Sequence, residues 1–286
     1  HALNEIMWGI SQLIFALGYK ERSAAENLKE LKRIYDTCLA SGGIIHITAD
    51  KDSLEKILPM MKDFTKAAKI TKLLPAVSYP LEEYTKLIYQ KELLDSDLPQ
   101  LVKVDSQTGY AAASSLASSY LSKEASAEGV FASWVSTHTF WDKLRTTGGA
   151  YGASMWIDSV QNSVYFTTYR DPTPERSIQV FADSMKELAA SGVSAEDVER
   201  TVVTSYADLI QPSSPRDKAA RSFEGLLYAN PSDFRQKRVD NILSVTVDDV
   251  NAAAKRIAES VEKDYKSAVF CDKSKSFSGN IINLPL

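Results

Sequence analysis

The sequence predicts an α+β protein in which helices cover a mostly antiparallel sheet. Three observations carry that prediction. Tyr151 to Ile157 and Ser163 to Tyr169 alternate apolar and polar residues around Asp158-Ser159-Val160-Gln161-Asn162, the pattern of a β-hairpin. Ser194 with Asp197, and Thr246 with Asp249, place a capping hydroxyl three residues before an acid at the head of amphipathic runs. The order strands, helix, hairpin, helices, strand then groups the elements as α+β proteins do.

The elements follow along the chain. Ile6 to Leu17 is apolar with helical spacing, and Ala24 to Leu39 is a second helix with Leu28, Leu31, Tyr35, Cys38 and Leu39 on one face. Ser41-Gly42-Gly43 ends it, and Ile44 to Ala49 reads as a short buried strand. Asp52-Ser53 opens another helix with Leu54, Ile57, Leu58, Met61 and Phe64 in register. Thr71 to Asp97 holds Pro75 and Pro80 and reads as a linker with edge segments, with a boundary at Leu98-Pro99. The chain is therefore expected to hold two domains, 1–97 and 98–286, the first being the end of an α+β domain that lacks its opening strands.

In the second domain Leu101 to Val104 and Gly109 to Ala113 suit strands. A helix is expected from about Glu128 to Leu144, with Phe131, Trp134, Val135, His138, Trp141 and Leu144 along one stripe. The hairpin comes next. Pro172-Thr173-Pro174 starts a helix bearing Ile178, Phe181, Met185 and Leu188, and the two capped helices follow from Ser194 and Thr246. Ser267 to Cys271 is the last strand expected.

Composition narrows the function classes. A chain of 286 residues with 44% hydrophobic and 24% charged residues can bury a sizeable core, so disorder is not expected. A net charge of -4 offers no basic field for nucleic acid. No run approaches the roughly 20 apolar residues of a bilayer span, so no membrane partner is expected. Cys38 and Cys271 lie far apart in apolar contexts and read as buried free thiols, which favours a reducing compartment, cytoplasm or organelle interior. His1-Ala2-Leu3-Asn4 opens directly into helical periodicity and reads as the interior of a longer protein.

Conventional catalytic signatures are missing. Of three histidines, His46 reads as a core or edge residue of its strand, and His138 lies one helical turn from both Trp134 and Trp141, where packing is the simpler role. No HExxH or HxxEH pair is present to hold zinc and activate water, and no nucleophile elbow or phosphate loop occurs. Ser114-Ser115 and Ser118-Ser119 read as small residues packed on a helix. One stretch stands out: Arg145-Thr146-Thr147-Gly148-Gly149-Ala150-Tyr151-Gly152. Read simply, it is a helix C-cap with Arg145 complementing the dipole and Tyr151 filling a sheet position. Read for chemistry, Gly148 and Gly149 admit another backbone while Arg145 and Tyr151 offer donors to a carbonyl or carboxylate.

Trp141 to Ala153 resembles the Arg/Tyr signature in the last domain of the pitrilysin/insulinase (M16) superfamily, and Gly-Gly-Ala before the Tyr is similar to its presequence-protease subfamily. Asp208 to Pro215, Arg221 to Leu227, Phe234 to Arg238 and Ile242 to Asp249 resemble that domain's closing helices. The resemblance implies a LuxS/M16 metalloenzyme-like fold, with 1–97 the end of the third such domain plus a linker and 98–286 the fourth. It further implies the C-terminal half of a zinc metalloendopeptidase that closes around unfolded peptides. Zinc then belongs to the HxxEH site of the N-terminal half, a partner segment or chain, and none to this chain. Arg145 and Tyr151 become the catalytic contribution, with Gly148 and Gly149 at the substrate backbone. The alternative is a non-catalytic structural or partner subunit of the same fold.

Overall fold

The computed structural model describes residues 23–70, 72, 99–119, 122–158 and 161–282. The helix expected from Ile6 to Leu17 and, Lys72 apart, the linker from Thr71 to Asp97 lie outside the described residues. The chain forms two units, the smaller taking in residues 23–70 and 212–231, the larger 99–211 and 232–282.

The smaller unit holds α1 (Ala24–Ala40), α2 (Lys51–Ala67) and a third helix, Pro215–Leu227. Its helices begin where side chains can satisfy free amides. Ser23 and Glu26 form a reciprocal capping box, and the Asp50 carboxylate accepts from Ser53 N at 3.0 Å. None of the three helices buries a side chain. Cys38 is exposed, not buried as expected, because the apolar face of α1 that carries it is itself exposed. Ile44 to Ala49 does not form the expected strand either. Its neighbourhood has one isolated bridge, Gly43 to Lys72, and without a ladder to pair its backbone the segment stays irregular, with Ile44 and Ile45 exposed. His46 is accordingly exposed, stacked on Phe223 at 4.8 Å.

The larger unit holds strands β1 (Gln100–Val104), β2 (Tyr110–Leu116), β3 (Gly152–Asp158), β4 (Ser163–Tyr169), β5 (Lys266–Asp272) and β6 (Asn280–Ile282). They form one sheet in the order β3-β4-β2-β5-β1-β6. Pairing is antiparallel from β3 across to β5 and parallel for β1 with β5 and β6. The fold is thus the expected α+β arrangement with a mostly antiparallel sheet; β6 is an addition. Helices α3 (Lys123–Thr137), α4 (Pro174–Ser191) and α8 (Val247–Asp264) pack on the face bearing Leu101, Ala111, Met155, Phe166 and Val269. Alternation turns Tyr110, Trp156 and Tyr169 to the other face, where they are partly exposed. Helix α5 (Ala195–Ile210) and α7 (Phe234–Leu243) complete the unit, and Pro215–Leu227 takes the label α6 between them.

Phe140, Phe166 and Phe181 centre the core, fully buried with ring centroids 5.3 to 6.3 Å apart. Each such side chain contributes about 2–3 kcal/mol of burial. Ser114 and Ser115 lie in β2, not on a helix, and Ser118 follows it. Ser115 shares a 2.6 Å hydrogen bond with Ser260 of α8. Ser118 donates through N and Oγ to Glu128, whose carboxylate also meets Arg256 Nε at 3.2 Å. This fully buried acid joins the segment after β2 to α3 and α8 and is held by three donors, the condition for a stable buried charge.

Candidate functional site

Helix α3 is the platform. Ser122 caps its start at Ala125 N, so it begins five residues before the expected Glu128, and it ends at Thr137 instead of running on to Leu144. His138 closes it, its ring stacked on Trp134 at 5.0 Å and its Nδ1 3.0 Å from Trp134 O. A π-helix, Trp141–Thr146, follows. Its wider ring shows in Thr147 N donating to Asp142 O at 2.9 Å, five residues back, and Thr146 Oγ1 donating to Trp141 O at 3.1 Å. The change of register explains why the expected stripe breaks: Phe140 and Leu144 enter the core while His138 and Trp141 are exposed.

The turn after the π-helix uses both glycines. Gly149 N donates to Arg145 O at 2.9 Å and Ala150 N to Leu144 O at 3.0 Å, each one residue longer than the pair that closes an ordinary Schellman cap. Gly149 has φ +79°, the left-handed region. A Cβ on Gly148 would stand 2.6 Å from Leu144 O and 3.1 Å from Arg176 Nη1. Tyr151 N then donates to Arg170 O at 3.3 Å, joining the turn to the end of β4.

This geometry leaves two donors free. The Arg145 guanidinium lies 3.8 Å above the Trp141 ring, four residues before it on the same face, a cation–π contact that orders the side chain without occupying its N–H groups. Tyr151 is 67% exposed and leans edge-on against Tyr169 at 5.9 Å. Neither the Arg145 guanidinium nor the Tyr151 hydroxyl has a hydrogen-bond or ion-pair partner among the described residues. Arg170, which packs 5.5 Å from the Tyr169 ring, and Arg176 beside Gly148 likewise have no carboxylate partner among the described residues. Sequence reasoning passed over Arg170 and Arg176, and over Trp141 as the support for Arg145; the spacing of four was its only signal. The result is a cationic surface with a phenol at its edge, suited to carbonyl oxygens or carboxylates.

Comparison with known proteins decides the family. Residues 106–274 match the family model of the PreP C-terminal domain, a span that contains the π-helix, both glycines and Tyr151. The chain belongs to that family. Among curated relatives, the mitochondrial presequence protease of Saccharomyces cerevisiae is 26% identical over 268 residues, covering 89% of this chain and 26% of that protein. That of Eremothecium gossypii is 30% identical over 170 residues, 58% of this chain and 17% of its own length. The chain thus spans about a quarter or less of these relatives. Among solved structures, a peptidase M16 inactive domain from Pseudomonas fluorescens superposes with TM-score 0.53 at 12% identity, covering 79% of this chain and 52% of that one. The periplasmic protease PqqL of Escherichia coli gives 0.50 at 15% identity, covering 77% and 24%. At these identities the structures speak for the fold, and the fold is the M16 one. The PreP-type domain is therefore a C-terminal, presequence-protease-like M16 region, as the Gly-Gly-Ala-Tyr resemblance implied.

Proposed function

We propose that this chain is the metal-free C-terminal part of a zinc metalloendopeptidase that encloses and degrades unfolded peptides, and that Arg145 and Tyr151 are its contribution at the scissile bond. The observation that carries this reading is the pair of donors without a hydrogen-bond partner among the described residues, the half-buried Arg145 and the exposed Tyr151, presented by a π-helix and glycine turn inside the segment matched to the family. π-helical turns occur often at functional positions. In this reading Arg145 binds a substrate backbone carbonyl, and the Tyr151 hydroxyl donates to the carbonyl oxygen that becomes negative as water attacks. Gly148 and Gly149, without side chains, let the substrate backbone lie close to the turn.

Zinc in the full enzyme would be the N-terminal half's to hold. Among the described residues no three His, Cys, Asp or Glu side chains come together as a metal site, so the donor set here does not fit the ion. Residues 1–97 would be the end of a third M16-like domain with its linker, and 98–286 the fourth domain. The partners are then a peptide substrate and that N-terminal half, in an organelle interior as the names of the mitochondrial relatives suggest. The test is Tyr151→Phe in the assembled protease. Turnover of an unfolded peptide is expected to fall about 10²-fold or more, with thermal stability unchanged because the hydroxyl has no partner within the described fold. Wild-type turnover in a folded variant would sink the role of Tyr151 and favour a non-catalytic subunit.

A further inference from the structure

Away from the Arg145 surface, α3, β3, α5 and α7 of the larger unit line a half-open cleft of about 400 Å³, within the size range of small-ligand sites. Val130, Met155 and Leu209 supply apolar lining; Ser126, Ser133 and Ser205 supply hydroxyls. Arg238 of α7 and Asp208 of α5 line it too.

Three features set this cavity apart from a packing fault. The first is Gly129, in the middle of α3. Glycine is a poor helix residue and is usually retained where another chain approaches, yet a Cβ here would meet nothing within 4 Å. What its missing side chain does is keep the cavity open. The second is Arg238, which has no hydrogen bond or ion pair among the described residues. Arg238 is solvent-exposed, although the packing around it lowers its pKa from the usual value. It stays charged at neutral pH all the same. Asp208 does not form an ion pair with it; its Oδ1 accepts from Gln211 Nε2 at 3.2 Å. The third is the serines: none of the three hydroxyls has a partner among the described residues.

An unpaired guanidinium, idle hydroxyl donors and apolar walls in one cavity match a single ligand chemistry. We propose that this cavity binds a carboxylate borne on an apolar group, of the kind found at the C-terminal residue of a short peptide, with Arg238 pairing the carboxylate. The planar fork of arginine suits a carboxylate in bidentate fashion, and the apolar walls suit the group that bears it, which inorganic phosphate lacks. The proposal is independent of the roles given to Arg145 and Tyr151, and its test reads binding, not turnover.

The 286-residue chain is titrated with N-acetyl-leucine, N-acetyl-leucinamide and inorganic phosphate, followed by NMR shift changes and calorimetry. N-acetyl-leucine is expected to bind saturably with a Kd of about 1 mM, as its size allows, the amide at least about tenfold more weakly, and phosphate not at all. Arg238→Met should weaken N-acetyl-leucine about tenfold or more. Gly129→Leu should block the cavity and abolish binding while the melting temperature holds or rises, since leucine favours the helix. Equal binding of acid and amide, phosphate binding as tightly as N-acetyl-leucine, no saturable binding, or wild-type binding by both variants each overturns the proposal.

Discussion

Gly148 and Gly149 are adjacent and chemically identical, yet the fold needs them for different reasons. Gly149 is required for its left-handed φ of +79°, which any L side chain adopts at a cost of about 1–2 kcal/mol. Gly148 is required because a Cβ would stand 2.6 Å from Leu144 O, a backbone atom whose residue is anchored in the core. That carbonyl cannot retreat without moving Leu144. Gly149→Ala is therefore expected to lower the unfolding free energy by about 1–2 kcal/mol. Gly148→Ala is expected to cost about 1–3 kcal/mol through strain, read in both cases from the urea midpoint at unchanged m-value. A Gly148→Ala protein as stable as wild type would show that the close approach is not tight. The sequence marked both positions as special but could not separate a dihedral need from a steric one, because that depends on where the Leu144 carbonyl points.

At the scale of elements, what could be read locally came out well. The hairpin of β3 and β4 and the starts of α5 and α8 rest on neighbours within a few residues; Thr246 forms the expected capping box with Asp249, while Ser194 caps one way, accepting from Asp197 N without the reciprocal bond. The π-helix was not legible: Phe131 and Val135 keep the 3.6-residue period, and nothing in the residue types announces the wider ring that follows. The capping box of α8 carries a pH signature. The Asp249 carboxylate lies below the usual carboxylate range, first because Thr246 N donates to it at 2.9 Å, then through the Thr246 hydroxyl at 2.8 Å and Lys123 at 3.0 Å. A folded-state pKa below the unfolded one stabilises the protein above about pH 4 and loses that contribution as pH falls through the folded value. Asp249→Asn should therefore be less stable than wild type at pH 7, with the gap closing on acidification below about pH 4. Parallel urea titrations at pH 7 and pH 3 measure it; a gap that persists undiminished at pH 3 means that the carboxylate charge is not what the cap uses.

At the scale of the whole molecule, fold class was legible because element order alone separates α+β from other architectures, and the larger unit obeys that order. The smaller unit was harder to read. Periodicity marks an apolar face on α1 whether or not that face is covered, so Cys38 and Leu28 read as core and are exposed. The same limit governs His46, expected in a strand that does not form. The metal chemistry follows from where the imidazoles and acids fall. His46 and His138 belong to different units, one stacked on Phe223 and the other on Trp134, and the described acids gather around neither as a ligand set. A peptidase zinc needs three protein ligands and an open position for water, held together before substrate arrives. The 286-residue chain by itself is thus expected to carry less than stoichiometric zinc and to leave an unfolded fluorogenic peptide uncut, and mixing it with a zinc-bearing N-terminal half should restore cleavage that depends on Tyr151. Elemental analysis and a peptide-cleavage assay on the purified chain check the first two outcomes. One zinc per chain together with chelator-sensitive cleavage would move the active site into this polypeptide and end the split-site reading.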